Sequence, residues 1–256
     1  MRLDPLPIFQ DNYVWLLAND AGEALVVDPG EDQAVQRALT RHGLKLGAIL
    51  ITHHHPDHTG GIAALRAIHD VPVYGPAAEA ARIPHLSQPL RGGDVVDLPQ
   101  GRAQVLDLPG HTLGQIGYLI GDLLFCGDSL FSAGCGRLFE GSPAQMYHSL
   151  HRLAALPGAT RVCCTHEYTL ANLAFAMQVE PHNPAVRDHA GTVRALREAG
   201  QPSLPSRIDR ECAINPFLRT HVPAVREAAA RHAGATAGDE IEVFAQLRAW
   251  KDRFRG

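Results

Sequence analysis

The sequence lacks the features that mark a secreted, membrane-bound or nucleic-acid-binding chain. It has only five cysteines among 256 residues, at 126, 135, 163, 164 and 212. An odd count with no CxxC pair argues against a secreted disulfide framework. Cys126, Cys163 and Cys164 lie in apolar, strand-like runs and read as core residues. No apolar run approaches the roughly 18 residues of a membrane span, and Met1–Pro7 lacks the apolar centre of a signal peptide. Positive charge is not in excess: the formal net charge is −4, which gives no general attraction to nucleic acid or membrane surfaces. The expectation is a cytoplasmic protein with neither a nucleic-acid nor a membrane partner. At 45% hydrophobic and 20% charged, the composition is that of an ordinary globular chain.

What the sequence does have is a concentration of histidine. Thr52 to Gly61 reads THHHPDHTGG, with four imidazoles and one carboxylate in the six residues from His53 to His58. Leu46 to Ile51 before it is an apolar run that reads as a buried strand, and Ile62 to Ile68 after it has helical spacing. The polar cluster therefore sits at the carboxyl end of a strand, where α/β proteins build sites. In a chain still extended, residues two apart point the same way, so His53 and His55 can share a metal while His54 points away. Asp57 and His58 follow the bend at Pro56 and can serve a second. Imidazole nitrogen and carboxylate oxygen suit Zn²⁺ and other first-row divalent ions. A solvated His-rich tract would not follow a buried strand and lead into Gly-Gly and a helix.

Three further candidates leave strand ends. His111 follows Gln104–Leu108 through Pro109-Gly110, Asp128 follows the hairpin strand Asp122–Cys126, and His166 falls in Arg161–Tyr168, which reads as the last strand. Tyr13–Asn19 and Ala24–Asp28 form an expected hairpin, and Glu31–His42 an expected helix closed by Gly43. Gly134 to Gly141 is a Gly-rich loop carrying Arg137, and Ser142-Pro143 reads as the start of a helix with Tyr147, Leu150, Leu153, Ala154 and Leu156 as its apolar stripe. Beyond Tyr168 helical spacing appears at 169–179, 184–199, 222–233 and 239–253, with a long linker from Gly200 to His221. The expected division is 1–168 and a helical domain at 169–256. In the last helix Ile241, Phe244 and Leu247 make the core stripe, and Arg248 and Lys251 share a neighbouring face.

The pattern His53-x-His55-x-Asp57-His58 resembles the metal-binding signature of the metallo-β-lactamase superfamily. THHHPDHTGG is most similar to its glyoxalase II branch, the hydroxyacylglutathione hydrolases. GHT at 110–112, GDSLF at 127–131, GCGRLFEG at 134–141, THEYT at 165–169, NPFLR at 215–219 and the terminal KDRF at 251–254 resemble that branch in their usual order. The resemblance implies an αββα sandwich with a small C-terminal α-helical domain. It implies that His53, His55 and His111 hold one metal, that Asp57, His58 and His166 hold a second, and that Asp128 bridges them. The pair is expected to be Zn, with Fe or Mn as alternatives. Glutathione recognition is implied for Arg137, Phe139, Tyr168, Arg248 and Lys251, although Phe139 stands where members often carry a Tyr and supplies no hydroxyl.

The implied function is a monomeric, binuclear-metal thioester hydrolase that cleaves S-D-lactoylglutathione to D-lactate and glutathione in methylglyoxal degradation. Asp57 is expected to orient the attacking water as well as hold metal. A thiolate leaves without needing the proton that an amine would, and no Ser-His-Asp signature offers another route. The rival enzyme is a single-iron glutathione persulfide dioxygenase of the same superfamily, which needs only the first ligand set. A β-lactamase or nuclease lacks the support of a signal peptide or basic surface. A non-catalytic metal-binding module is the alternative outside the enzymes.

Overall fold

The run from Asn12 to Ala18 is apolar on both sides of the pleat after its first residue, and every residue of it is buried. Such a strand needs cover on both faces, and its first face shows how that cover is built. Val14, Leu16, Val26, Ile49, Ile51 and Val73 pack against Val35, Ala38, Leu39, Ile62 and Leu65 of two helices. The computed structural model describes residues 1–236 and 238–255, so Ala237 and Gly256 of the expected helical domain lie outside the described residues. The chain folds as two compact units. The first comprises Met1–Leu108, Thr112–Gly127 and Cys163–His166; the second comprises Pro109–His111, Asp128–Val162 and Glu167–Gly256.

In the first unit, β1 (Arg2–Ile8), β2 (Asn12–Ala18) and β3 (Glu23–Val27) form an antiparallel meander. After helix α1 (Gln33–His42), β4 (Lys45–Leu50) pairs parallel to β3. The short α2 (Pro56–Thr59) and α3 (Ile62–Ile68) lead to β5 (Val73–Pro76) and β6 (Gln88–Leu90), also parallel, giving the order β1-β2-β3-β4-β5-β6. Then β7 (Val95–Leu98), β8 (Gly101–Asp107), β9 (Ile116–Ile120) and β10 (Leu123–Phe125) form a run of antiparallel neighbours. The two sheets meet through large side chains: Trp15 of β2 lies edge-on to Phe125 of β10, ring centres 6.5 Å apart. The Tyr118 hydroxyl of β9 donates to the Ile51 carbonyl at 2.8 Å.

The second unit holds the small hairpin β11 (Leu130–Phe131) and β12 (Gly134–Cys135), helix α4 (Pro143–Ala154) and the pair β13 (Arg161–Val162) and β14 (Ser206–Arg207). Its other helices are α5 (Thr169–Val179), α6 (Pro184–Glu198), α7 (Ile208–Ile214), α8 (Pro223–Ala233) and α9 (Glu240–Arg253). Ser142 and Gln145 form a reciprocal capping box at α4, Gln145 N donating to Ser142 Oγ at 3.3 Å and Ser142 N to Gln145 Oε1 at 2.9 Å. Ser142→Ala should lower stability by about 1 kcal/mol, read as an earlier midpoint in urea unfolding with an unchanged slope. Among the described residues, no helix is long and apolar enough to cross a membrane.

Several expectations are corrected. The expected last strand, 161–168, is a regular strand only over Arg161–Val162, with an isolated bridge from His166 to Asn12, and a further strand, β14, does follow Tyr168. The linker 200–221 contains α7. On α4, Met146 and Ser149 are buried with Leu150 and Leu153, whereas Tyr147, Ala154 and Leu156 are only half-buried. On α9, Val243 takes the core place expected for Ile241.

Candidate functional site

The parallel strands β3 and β4 end side by side, Asp28 N donating to the Leu50 carbonyl at 2.9 Å. Asp28 adopts a left-handed φ of 52°, which turns its carboxylate back over the end of β4. Its Oδ1 accepts from Thr52 N and its Oδ2 from Thr52 Oγ1, each at 2.8 Å. The chain bends at Thr52 and His53 and is extended at His55, and Pro56 then opens the one-turn helix α2. Gly30 lets the turn after β3 lie directly on this helix: a Cβ there would stand 2.0 Å from the Asp57 carbonyl oxygen.

This folding groups the ligand-type atoms of the first unit. His53 Nε2 and His55 Nδ1 are 3.0 Å apart. His54 turns away from them, as the extended spacing predicts, and its Nδ1 lies 2.7 Å from Glu79 Oε2. Asp57, His58 and His166 form a second group whose ligand atoms all lie within 4.8 Å of one another. Asp57 Oδ2 is 3.6 Å from His58 Nε2 and 3.5 Å from His166 Nε2. Each imidazole has a carboxylate at its other nitrogen: Asp28 Oδ2 is 3.1 Å from His58 Nδ1, and Asp11 Oδ1 is 2.8 Å from His166 Nδ1. Asn12 Nδ2 donates to Asp57 Oδ2 at 2.9 Å. A carboxylate behind each ring orients its Nε2 as a ligand, and the spacing suits atoms that share one ion with bonds of about 2.0–2.2 Å. The donor set of nitrogen and oxygen fits a divalent metal.

The second unit contributes His111 and Asp128, each joined by one peptide bond to a residue of the first, Thr112 and Gly127. His111 Nδ1 donates to the Arg137 carbonyl at 2.8 Å, and its Nε2 is 3.5 Å from Asp128 Oδ2. The Gly-rich loop can close on them because Gly136 has no side chain: a Cβ there would stand 2.0 Å from the Asp128 carbonyl oxygen. Beside them opens a cleft of about 380 Å³, whose walls include Arg137, Phe139, Tyr168, Arg248 and Lys251. A larger groove, about 730 Å³ along Leu6, Arg37 and Arg41, contains none of the candidate ligands.

The side chains of the cleft differ from one another more than their spacing suggests. Phe139 is 63% exposed, and its ring lies edge-on to His111 with centres 5.2 Å apart. Arg248 is not the partly solvated cation expected of a basic helix face. It is only 5% exposed; Nη1 donates to the Cys135 carbonyl at 2.9 Å, and Nε and Nη2 donate to Asp252 Oδ1 at 3.2 and 2.9 Å. Lys251 donates to the Ala171 carbonyl at 3.2 Å and lies over the rings of Phe175 and Phe254. Burial, and then the neighbouring Arg248, lower its pKa to about 8. Cys135, also on the cleft, is an inert thiol, pushed up to about 11 by burial.

Asp11, Asn12, Asp28 and Glu79 all touch candidate ligands or the loop that bears them, and none stands out in the sequence. Only Asp28 has a local signal, in Asp28-Pro29-Gly30 at a strand end. The other three depend on partners 25 to 155 positions away.

A model of the metallo-β-lactamase superfamily matches residues 8–166, and one of the hydroxyacylglutathione hydrolase C-terminus matches 167–254. A hydroxyacylglutathione hydrolase of Alkalilimnicola ehrlichii is 55% identical over 97% of both chains, and one of Cupriavidus taiwanensis is 52% identical over the whole of both. Among solved structures, ETHE1 from Myxococcus xanthus aligns with a TM-score of 0.58 at 31% identity, covering 83% of this chain and 100% of that one. The BLEG-1 B3 metallo-β-lactamase aligns with a TM-score of 0.61 at 26% identity, covering 85% and 98%. The fold is the αββα sandwich of the metallo-β-lactamase type with a C-terminal helical region.

Proposed function

We propose, for a chain that belongs to the hydroxyacylglutathione hydrolase family of the metallo-β-lactamase superfamily, the hydrolysis of S-(2-hydroxyacyl)glutathione. S-D-lactoylglutathione is the leading substrate, giving D-lactate and glutathione as a step in methylglyoxal degradation. In this reading the protein is a cytoplasmic monomer with neither a nucleic-acid nor a membrane partner. The odd count of five cysteines with no CxxC pair suits a reducing compartment. His53, His55 and His111 would hold one divalent ion, Asp57, His58 and His166 would hold another, and Asp128 would serve as a ligand shared by both. Zn is the leading pair, with Fe or Mn as alternatives.

The observation that carries the proposal is the cleft lined by His111 and Asp128 together with Arg137 and Lys251. It provides metal ligands and cations for one elongated anionic substrate. Bound divalent ions would polarise the thioester carbonyl and bring the pKa of a water towards neutrality. Asp57, steadied by Asn12, orients that water. Lys251 and Arg137 take the carboxylates of the glutathionyl group, assisted by the Tyr168 hydroxyl, while Phe139 offers an apolar wall without a hydrogen bond. Arg248 supports the cleft from beneath by holding the Cys135 carbonyl. The helical segment 169–256 is thus a substrate-binding domain. The leaving thiolate needs no proton donor.

Steady-state hydrolysis of S-D-lactoylglutathione, with metal content measured on the same sample, tests this. The expected result is turnover with about two ions per chain. About one iron per chain with oxygen uptake on glutathione persulfide would support the dioxygenase instead. Two ions without thioester hydrolysis would sink the enzyme reading. The grouping of Asp57, His58 and His166 favours the hydrolase, because the dioxygenase has no use for a second ligand set.

A further inference from the structure

One imidazole of the THHHPDH run belongs to neither ligand set. We infer that His54 serves as the anchor for Glu79, a positioning residue that sets the geometry of His53, His55 and His111. This rests on the ligand assignment proposed above. Glu79 lies in the 3-10 turn Ala77–Arg82 that follows β5, and it is 4% exposed. Its carboxylate collects four donors, two on each oxygen. Oε2 accepts from His54 N at 2.7 Å and lies 2.7 Å from His54 Nδ1. Oε1 accepts from Thr112 Oγ1 at 2.5 Å and from Gly114 N at 3.1 Å.

The chain positions of these anchors are what give the carboxylate a function. His54 is flanked by His53 and His55, and Thr112 directly follows His111. Each of the three ligands assigned to the first metal is therefore one peptide bond from a residue that Glu79 holds. The second set is steadied by other carboxylates, Asp28 at His58 and Asp11 at His166. Gly114 belongs to the device as well: a Cβ there would stand 2.6 Å from Glu79 Cγ. HTLG ends in glycine so that Glu79 can reach both loops. A buried carboxylate is costly unless its oxygens are fully hydrogen-bonded. Here the bonds that satisfy it also tie together two loops 58 positions apart, from His54 to Thr112. Ligand angle, unlike ligand identity, depends on such outer contacts.

The test uses the zinc-loaded holoenzyme and follows chelator-driven metal release alongside kcat and KM. In Glu79→Gln, which keeps the shape but loses two acceptor positions, one of the two ions should leave about 10–100-fold faster. The other ion should keep its wild-type rate, and kcat should fall with KM little changed. Gly114→Ala, which displaces Glu79 without altering its chemistry, should reproduce the same single fast phase if Glu79→Gln folds poorly. Asp11→Asn, at the back of His166 alone among the assigned ligands, should speed release of the other ion, so the variant carrying Glu79→Gln and Asp11→Asn should lose both quickly. Equal loosening of both ions by Glu79→Gln, or no change in either variant, would overturn the inference and leave the proposed activity standing. A wild-type protein that does not bind two ions would remove the ligand assignment itself.

Discussion

Asp57→Ala should lower kcat/KM for S-D-lactoylglutathione by roughly 10²–10⁴-fold, the range that an oriented proton acceptor contributes, and the protein should retain about one metal. Asp57 is the shared member of its group, 3.6 Å from His58 Nε2 and 3.5 Å from His166 Nε2. Removing it takes away the carboxylate oxygen that both imidazoles face. The fold should survive, because the Asp57 side chain is 40% exposed and the neighbouring turn rests on its backbone at Gly30, not on its carboxylate. Circular dichroism of the variant should match that of the parent. Asn12→Ala, which removes only the 2.9 Å hydrogen bond to the same carboxylate, should cost about tenfold. Similar losses in the two variants would mean that Asp57 acts by placement alone.

The second large effect concerns the cleft, where Arg248 and Lys251 should behave differently. Lys251→Ala should raise KM for glutathione thioesters by about ten- to a hundredfold, the equivalent of roughly 1–3 kcal/mol, with kcat nearly unchanged. Its contact is remote from the scissile bond and similar in ground and transition states. A simple thioester without the glycine carboxylate should show no such change. The lysine also predicts a pH limb. Its pKa lies near 8, so its charge is present below that pH and lost as pH rises through it. The free enzyme's kcat/KM should fall in the same window for the glutathione substrate alone. Lys251→Arg should abolish the limb, since a guanidinium stays charged. Arg248→Ala should instead lower stability as well as binding, because it removes the hydrogen bonds to the Cys135 carbonyl and to Asp252, leaving Asp252 only Arg137 at 3.7 Å. If Arg248→Ala and Lys251→Ala gave the same profile on both substrates, the cleft would not be reading the glutathionyl carboxylate.

The strands and helices that can be read in advance carry their pattern within themselves. β2, β3, β4 and α1 have apolar periodicity over five or more residues, and the metal loop carries its ligands in one short run. Legibility fails where the determining partner is distant. β1 contains Pro5 and Pro7, which an edge strand tolerates but which hide it from a pattern search. β14 is two residues long and exists only by pairing with Arg161 and Val162. α7 is seven residues long in a stretch with prolines on either side. Its buried Glu211 is held not only by its neighbours Ser206 and Asn215 but by Ser132 and Ala133, which no local window contains. Arg248 looks like a surface cation in the sequence because its carbonyl partner is 113 positions away. The carboxylates of Asp11, Asp28 and Glu79 escape notice because a lone acidic residue looks the same in a sequence whether it faces water or the back of a ligand.

Helix α4 lies, by sequence, within the segment that matches the metallo-β-lactamase superfamily at 8–166. By packing it belongs with the tail, where α4 lies against α7, α9 and the 216–218 turn. The seam between the two matched segments is therefore not a line along which the protein comes apart. A gene fragment ending at 166 would encode α4 without those partners and leave the apolar side of Met146, Leu150 and Leu153 uncovered. Chimaeras between relatives would then exchange specificity cleanly only if α4 travelled with the tail that encloses it.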